Sequence, residues 1–316
     1  MMEMIESVMA VVFSLNTFNA ALRMSIPLAL GAMGGAFSER SGIINIGLEG
    51  MLLMGAFAGV LGSYVTGNAY AGVLNAILAG TLTSLIFAVF IIEFKANHVV
   101  AGVGLNILAL GFTTWMMQII WETRGASPTV ESIPVIRIGI VERIPGLGRI
   151  LGVQSPFVYI TILLIVLGWL FMFKTSTGLR IRFTGEHPEA ADTLGIGVRR
   201  VKYLSVLMSG ALCGLGGAYL SLGHLSQFSR DMTAGRGYMA LAANIFGQWN
   251  PLGGLGASLL FGYTDALQMR LQGLDLPIAH DLIQMLPYLL TIAVLAGAVI
   301  KSRPPAALGN HYDPEE

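Results

Sequence analysis

The stretch from Lys174 to Lys202, KTSTGLRIRFTGEHPEAADTLGIGVRRVK, is a charged segment between two long apolar ones. It holds six of the 18 Lys and Arg residues of the chain. An apolar segment of about 20 residues is long enough to cross the hydrocarbon core of a bilayer as a helix. The stretch therefore predicts a polytopic membrane protein in which a short polar loop, open to a cytoplasmic partner, joins two membrane-spanning helices.

The middle of this loop, GEHPEAADTLGI at 185–196, has the pattern of a short helix between two turns. Pro188 suits a first helical turn, and Gly195 suits the residue that ends a helix. Ala190 and Ala191 are small enough to let another protein surface approach closely. We expect a helix over 186–194 that binds a partner, although an ordinary amphipathic cytoplasmic loop also fits these residues.

The composition supports a membrane protein. Hydrophobic residues make up 54% of the chain and charged residues 11%, whereas a soluble domain carries about 25% charged residues. The mean hydropathy is +0.72. A net charge of zero argues against a broad surface for nucleic acid. The first residues, MMEMIE, contain no base before the first apolar run, so no cleaved secretory signal is expected.

Apolar blocks predict an all-α polytopic bundle of about ten (eight to ten) transmembrane segments, forming one domain over residues 1–316. Short, interrupted segments in such proteins often line a cavity, and we expect this of 24–37, with Pro27, and of 236–249, although a tilted, partly buried span also fits each of them. The first two blocks are also compatible with one kinked helix. The blocks are 5–20, 24–37, 42–62, 70–93, 99–120, 157–173, 203–223, 236–249, 251–270 and 282–300.

The distribution of basic residues predicts the orientation of these segments. Short loops rich in Lys and Arg face the cytoplasm, which places 174–202 and both termini inside. The long segment 121–156 contains four prolines and is then an extracytoplasmic loop, with short strands expected around Ile133–Val141.

Polar residues inside the apolar blocks are the candidates for a substrate pathway. Asn45 and Glu49 are four residues apart, so we expect them to share one helix face. A carboxylate at the start of a span avoids lipid, so Glu49 is expected to face the protein interior, water or a base such as Arg40. This face either borders a substrate path or forms a hydrogen-bond node between helices, and the residues alone leave both open.

Three amides extend this set: Asn106, Asn244 and Gln248. Asn244 and Gln248 are also four residues apart and are expected to share a face. Amides in membrane helices bind polar solutes or hydrogen-bond neighbouring helices, and both interpretations stay open. The substrate-pathway candidates are therefore Asn45, Glu49, Asn106, Asn244 and Gln248.

Signatures of enzyme chemistry are missing from the sequence. It contains no G-x-x-x-x-G-K followed by Ser or Thr, no G-x-S-x-G, no H-E-x-x-H and no C-x-x-C. The five histidines are scattered without the spacing of metal ligands. We expect no catalytic residue, no metal site and no cofactor bound by this chain itself.

Three stretches together resemble a known family. They are FSERSGIINIGLEGMLLMGAF at 37–57, GEHPEAADTLGIGVRRVKYLSVLMSGALCGLGGAYLSLG at 185–223 and GRGYMALAANIFGQWNPLGGLGASLLFGYTDALQ at 235–268. In this order they resemble permease subunits of bacterial ABC importers of the branched-chain amino acid and simple-sugar superfamily. Within it, they are most similar to the nucleoside-type permeases that work with basic membrane lipoproteins. The resemblance covers residues from about 24 to 300.

The resemblance implies a type II ABC importer permease in the bacterial inner membrane. Such a chain would move nucleosides by alternating access, with ATP bound by a separate cytoplasmic ATPase subunit. A second permease subunit, forming a heterodimer, and a substrate-binding lipoprotein or periplasmic protein are the other implied partners. The residues implied to contact the ATPase are Gly185, Glu186, Pro188, Glu189, Ala190, Ala191, Asp192 and Gly195.

Other classes make different demands on the sequence. A permease for a simple sugar such as a pentose fits the same motifs. An ion-coupled transporter needs ionisable residues in mid-span, and only Glu49, Glu93 and Asp265 are candidates, all near predicted span ends. An intramembrane enzyme needs a nucleophile or metal constellation, and a passive channel does not need the small-residue helix at 186–194. Neighbouring genes for an ATPase, a second permease and a binding lipoprotein would separate these classes.

Overall fold

The computed structural model describes residues 9–142, 148, 151–273, 280–285, 287, 289, 292 and 303–313. These residues form a bundle of helices with one small two-stranded sheet in the described part of the chain. The elements in chain order are α1 (Leu15–Arg40), α2 (Leu48–Thr66), α3 (Ala69–Ile92), α4 (His98–Trp121), β1 (Ile136–Arg137), α5 (Gly139–Glu142), β2 (Val153–Gln154), α6 (Pro156–Lys174), α7 (Ser176–Glu186), α8 (Pro188–Thr193), α9 (Val198–Ala218), a π-helical segment (Tyr219–Leu225), α10 (Arg236–Phe246), α11 (Pro251–Gln272) and α12 (His280–Gln284).

Six of these helices are long and apolar enough to cross a membrane: α1, α2, α3, α4, α6 and α9 with its π-helical continuation. Helix α1 joins the end of the predicted block 5–20, from Leu15, to block 24–37, which agrees with the alternative of one helix and not with two separate spans. Residues 9–12 are helical before a break at Ser14, and residues 5–8 lie outside the described residues. Pro27 lies inside α1 without ending it. Block 236–249 becomes the 11-residue helix α10, and most of the block predicted at 282–300 lies outside the described residues.

The helices divide into a central and a peripheral set. The most apolar windows of α1, α2 and α9 are 83%, 72% and 72% buried, whereas those of α3, α4 and α6 are 39%, 28% and 33% buried. The peripheral helices expose large apolar side chains such as Leu82, Ile107 and Leu163. A bilayer accepts such apolar surfaces, so the exposed side chains of the peripheral helices suit a position at the outside of a membrane-embedded bundle.

Helices α3 and α9 cross at small residues. A Cβ on Gly80 would lie 2.3 Å from the carbonyl oxygen of Gly210, and one on Gly214 would lie 2.3 Å from that of Ala76. The small residues are four apart on each helix, which allows two backbones to touch along a common seam. Side chains at these positions would force the two helices apart.

The segment 121–156 is held against one end of the bundle. The Ser127 amide donates to the carbonyl of Phe228 at 2.8 Å, just beyond the π-helical segment. Strand β1 confirms a short strand within the expected range Ile133–Val141, and it pairs antiparallel with β2, which lies outside that range. The backbone of the loop therefore finds its hydrogen-bond partners on the bundle and within itself.

The charged stretch 174–202 contains two helices, α7 and α8, where one was expected over 186–194. Helix α7 ends at Glu186 because His187 precedes a proline, and the proline ring pushes that residue out of the helical region, here to φ −142°. Pro188 begins α8 as predicted. Gly195, with φ +76°, follows its end in a left-handed conformation, which confirms the predicted stop.

Candidate functional site

Helix α10 is a half-helix. Its 11 residues span about 16 Å at 1.5 Å per residue, roughly half of the hydrocarbon core. It begins after Gly235, whose φ is +82°, and it ends before a turn in which Gln248 and Trp249 also have positive φ. Discontinuous helices of this kind occur in transporters, where their ends form binding sites or gates.

Glu49 of α2 caps the start of this half-helix. Its carboxylate accepts hydrogen bonds from the amides of Gly235, at 2.9 Å, and of Gly237. The first amides of a helix have no partner within it and carry partial positive charge, so a carboxylate there stabilises the helix. Gly237 permits this contact, because a Cβ at that position would lie 2.3 Å from the Glu49 amide nitrogen. Glu49 therefore has the contacts of a node between helices.

Arg40 is not the partner of Glu49, contrary to one expectation. Its guanidinium donates to the carbonyls of Trp249 and Gln248, each at 3.0 Å, at the far end of α10. Because those carbonyls lie in the turn after the helix, Arg40 satisfies groups that the helix itself cannot.

Asn45 lies in the turn before α2, which starts at Leu48, so the expectation that it shares a helix face with Glu49 is wrong. A tight turn with Gly42 at φ +95° occupies the predicted start of the helix. The Asn45 side chain is fully buried and donates to the hydroxyl oxygen of Ser209 on α9 at 3.0 Å. It joins the α1–α2 connection to the centre of the bundle.

Asn106 of α4 uses both ends of its amide. Its oxygen accepts from the amide of Gly50 at 2.8 Å, and its nitrogen donates to the carbonyl of Ile46 at 3.0 Å and the hydroxyl of Tyr238 at 2.9 Å. This side chain holds α4 against the start of α2 and against α10.

Asn244 and Glu39 form a second link to α1. The Asn244 nitrogen donates to the Glu39 carboxylate at 2.8 Å, and the indole of Trp249 donates to the same oxygen. Glu39 is 2% exposed, and it is absent from the residues predicted from the sequence. A carboxylate within a buried span, next to Arg40, was the signal that could have found it. Gln248 is exposed beyond the end of α10, so the expectation that it shares a face with Asn244 is wrong.

These buried side chains form one set, which we call the polar node: Glu39, Asn45, Glu49, Asn106 and Asn244. Together they connect α10 to α1, α2 and α4 and connect the α1–α2 turn to α9. Leaving a buried donor or acceptor unpaired costs roughly 1–3 kcal/mol, so the node fixes the position of the half-helix.

A second polar region, which we call the polar cavity, lies beside α10. It is a half-open cavity of about 180 Å³, and its lining residues are Ala234, Arg236, Met239, Asp265, Gln268, Met269, Gln284 and Pro287. Within the described part of the chain, the side chains of Asp265, Gln268 and Gln284 make no hydrogen bond. Asp265 and Gln268 are three apart on α11, a polar stripe on an apolar helix that the sequence analysis could have identified as a site.

The residues predicted to contact an ATPase lie at the end of the bundle where α1 ends and α9 begins. Ala190 and Glu189 are exposed, whereas Ala191 is fully buried inside the chain. Gly185 fits tightly, since a Cβ on it would lie 2.1 Å from the carbonyl oxygen of Arg40. Of the two alanines, only Ala190 presents an open surface in this structure.

The segment 303–313, which we call the tail, packs on the same end of the bundle. The amide of Ala307 donates to the carbonyl of Gly185 at 2.9 Å, and that of Ala306 to the Glu186 carboxylate at 3.1 Å. Tyr312 hydrogen-bonds the Asp192 side chain, and partial burial together with this contact raises the pKa of Tyr312 to about 12. The tail therefore packs against α8 and against the end of α7 that precedes it.

Six helices among the described residues that are long and apolar enough to cross a membrane, together with a capped half-helix, are typical of a multi-pass membrane protein of the transporter type. Residues 17–295 match the family model described as the permease component of branched-chain amino acid transport systems. The chain belongs to this family of ABC transporter permeases.

Individual relatives agree with this assignment. The chain is 40% identical to the guanosine ABC transporter permease NupQ of Bacillus subtilis, over 93% of this chain and 95% of that one. It is 37% identical to the nucleoside ABC transporter permease NupC of Lactococcus lactis (91% and 93%). It is 34% identical to a putative glucose ABC transporter permease, TsgC13, of Haloferax volcanii (96% and 99%). Both bacteria also contain a second permease relative, 27% and 24% identical to this chain.

Proposed function

We propose that this chain is the permease subunit of an ATP-driven importer for nucleosides. The observation that carries the proposal is its 40% identity, over 93% of its length, to a permease named for guanosine. A relative named for glucose at 34% identity makes a sugar the second candidate cargo. Both cargoes are neutral and polyhydroxylated, so they make similar demands on the pathway.

Uptake measurements test the cargo. Cells that lack the gene would be given radiolabelled guanosine, uridine, ribose or glucose, with and without the restored chain. We expect restored uptake of the nucleosides only. Restoration by a sugar alone would transfer the proposal to the second candidate, and restoration by none of them would contradict both.

We further propose that ATP is hydrolysed by a separate subunit on which α8 docks. The exposed Ala190 and Glu189 support this placement, because a small side chain beside a carboxylate suits a close contact with a basic rim. The Ala190→Trp variant should act as a wedge, since overpacking costs about 1–3 kcal/mol, or roughly 5- to 150-fold in binding. Ala126→Trp, an exposed site at the other end of the bundle, is the matched control.

The readouts are co-purification of the ATPase and solute-stimulated ATP hydrolysis in reconstituted membranes. Ala190→Trp should lower both, while the permease still inserts and Ala126→Trp behaves as the wild type. Equal co-purification and stimulation in the two variants would rule out Ala190 as a contact.

The proposed importer lies in the bacterial inner membrane with 174–202 and both termini in the cytoplasm, and it pairs with a different permease chain. The tail and the charged loop lie on one end of the bundle, and basic residues in a short loop favour the inner side. The second permease relative in both bacteria supports the heterodimer.

Single cysteines placed in a Cys213→Ser background and treated with an impermeant thiol reagent test the orientation. In intact cells, Thr129→Cys should react and Glu186→Cys should not, and the reverse pattern would contradict it. The heterodimer is tested by tagging the products of both permease genes and purifying this chain. Co-purification of the second permease is expected, and co-purification of identical chains alone would contradict the heterodimer.

A further inference from the structure

We infer that the polar cavity beside α10 is a solute-binding station, in which Asp265 and Gln268 bind the hydroxyl groups and base edge of a neutral nucleoside. The inference rests on the proposed function, because it assigns residues of this chain to that cargo. It concerns residues outside the five pathway candidates that the sequence predicts.

The first support is the size and position of the cavity. About 180 Å³ is far more than the roughly 10–15 Å³ that a single water needs by this measure. The cavity lies between the half-helix and α11, where transporters of broken-helix type bind their solutes.

The second support is the lack of partners. Asp265, Gln268 and Gln284 make no hydrogen bond to any described residue, although each can make several. The Nε atom of Arg236 is buried and also has no partner among the described residues. Asp265 and Gln268 are partly buried and Gln284 is exposed, so water can reach them in the absence of a ligand. The Arg236 Nε atom is buried, and buried polar groups are normally paired, so this atom lacks a bond that a ligand in the cavity could supply.

The third support is the chemistry of the lining. The described lining contains one basic side chain, Arg236, and one acidic side chain, Asp265, a balance that favours a neutral solute over a phosphorylated one. A carboxylate accepts hydrogen bonds from two adjacent hydroxyls, as on a ribose ring, and a glutamine both donates and accepts, as a base edge requires. Met239 and Met269 add polarizable sulfurs suited to an aromatic face.

The polar node holds the cavity in shape. Glu49 binds the amides of Gly235 and Gly237, the two neighbours of Arg236. Arg236 also donates to the carbonyl oxygens of Met232 and Thr233 at 3.3 and 3.2 Å. The backbone is therefore fixed on both sides of Arg236, the one cationic side chain among the described residues that line the cavity.

The test uses the complete importer in proteoliposomes, with guanosine and 2′,3′-dideoxyguanosine as the probes. The variants are Asp265→Asn and Gln268→Leu. The control is Thr264→Val on the same helix, whose hydroxyl bonds to its own helix at Phe261. We expect the first two variants to raise the KM for guanosine roughly tenfold or more, as loss of a hydrogen bond to a charged or amide group does, with Thr264→Val unchanged.

The dideoxy analogue lacks the two ribose hydroxyls that Asp265 is inferred to bind, so it tests that contact directly. The binding protein that delivers the solute is the same in every sample, so a change in preference between variants arises in the permease. The wild type should prefer guanosine to the analogue, and Asp265→Asn should reduce that preference. Unchanged KM and preference in both variants would overturn the inference, even though wild-type uptake would uphold the proposed function. If Asp265→Asn is not recovered folded, Gln268→Leu decides by the same readouts. Absence of nucleoside uptake by the wild type would instead overturn the proposed function.

Discussion

The polar node and the polar cavity are neighbours on the same half-helix, yet their side chains are in opposite states. In the node, Glu49 and Asn106 are bonded to backbone groups of other segments. In the cavity, Asp265 and Gln268 have no hydrogen-bond partner among the described residues. Both sets are polar residues in apolar helices, so residue type does not separate structure from function here. Each side chain of the node makes at least one hydrogen bond, although the buried Oδ1 atoms of Asn45 and Asn244 have no partner among the described residues. The presence of at least one bond to another segment separates the node from Asp265 and Gln268.

The largest effect that tests this contrast is expected from Glu49→Leu. The leucine leaves the amides of Gly235 and Gly237 without an acceptor, at roughly 1–3 kcal/mol each. We expect little folded permease in detergent, whereas Glu49→Gln, which still accepts hydrogen bonds, should be recovered with a lower melting temperature. Yield of monodisperse protein and thermal unfolding are the measurements.

The matched control is Glu131→Leu, a change of the same type at an exposed carboxylate of the segment 121–156. It should leave yield and melting temperature close to those of the wild type. If Glu49→Leu behaves like Glu131→Leu, the carboxylate is not a cap of the half-helix and the contrast between node and cavity fails.

A smaller effect is expected from Gly237→Ala, which tests the fit between the half-helix and α2. The added Cβ would lie 2.3 Å from the Glu49 amide nitrogen, so backbone has to move, at a cost of about 1–3 kcal/mol. Gly256→Ala on α11 is the control, because nothing lies within 4 Å of its Cβ position. There the change should be neutral or stabilise the helix by up to about 1 kcal/mol.

Thermal unfolding of the two alanine variants side by side provides the comparison. A lower melting temperature for Gly237→Ala alone would agree with a tight node. Equal melting temperatures would show that the half-helix shifts freely against α2, and Glu49 would then not position Arg236.

The sequence predicts the helical membrane fold because long apolar blocks have a direct physical meaning, and it predicts the stop at Gly195 because that conformation favours glycine. It does not predict that Asn45 lies outside a helix or that Glu49 caps α10. Those contacts join residues more than 160 positions apart, such as Asn45 with Ser209. Spacing along one helix carries no information about such partners. The pairs at Asn45–Glu49 and Asn244–Gln248 fail for a different reason, because α2 starts only at Leu48 and α10 already ends at Phe246.

For the cavity, the residues could be seen in the sequence but their common location could not. Asp265 enters the sequence analysis only as an ionisable residue near a span end, and Arg236 does not enter the predicted site at all. Their importance follows from α10 and α11 lying side by side, which brings the first residue of one helix next to the middle of the other. A polar stripe at Asp265 and Gln268 was visible in the sequence, but only the fold shows that it faces a cavity.

The smallest effect is expected in the tail, where a third kind of polar contact occurs. Lys95 and Asp313 form an exposed ion pair, and the hydrogen bond from Lys95 lowers the pKa of Asp313 below its usual range. A carboxylate whose pKa is lower in the folded than in the unfolded state stabilises the fold at pH values above its unfolded pKa of about 3.9. That stabilisation is lost as the pH falls through the lower pKa of the folded state. Asp313→Asn should therefore leave the melting temperature of the permease unchanged between about pH 6 and 8, because exposed ion pairs contribute little in water.

Melting curves of Asp313→Asn and the wild type at low and high salt complete this comparison. Exposed charges are screened by salt, so any small difference at low ionic strength should vanish at about 1 M salt. A large, salt-insensitive loss would place Asp313 with the buried node instead, and exposure would then not separate the weak polar contacts of this chain from the strong ones. An unchanged melting temperature for Asp313→Asn would show that an exposed ion pair adds little stability to this chain. Polar contacts that do add stability are then those of side chains that are both buried and hydrogen-bonded. Glu49 has both properties, whereas Asp265 makes no hydrogen bond to a described residue.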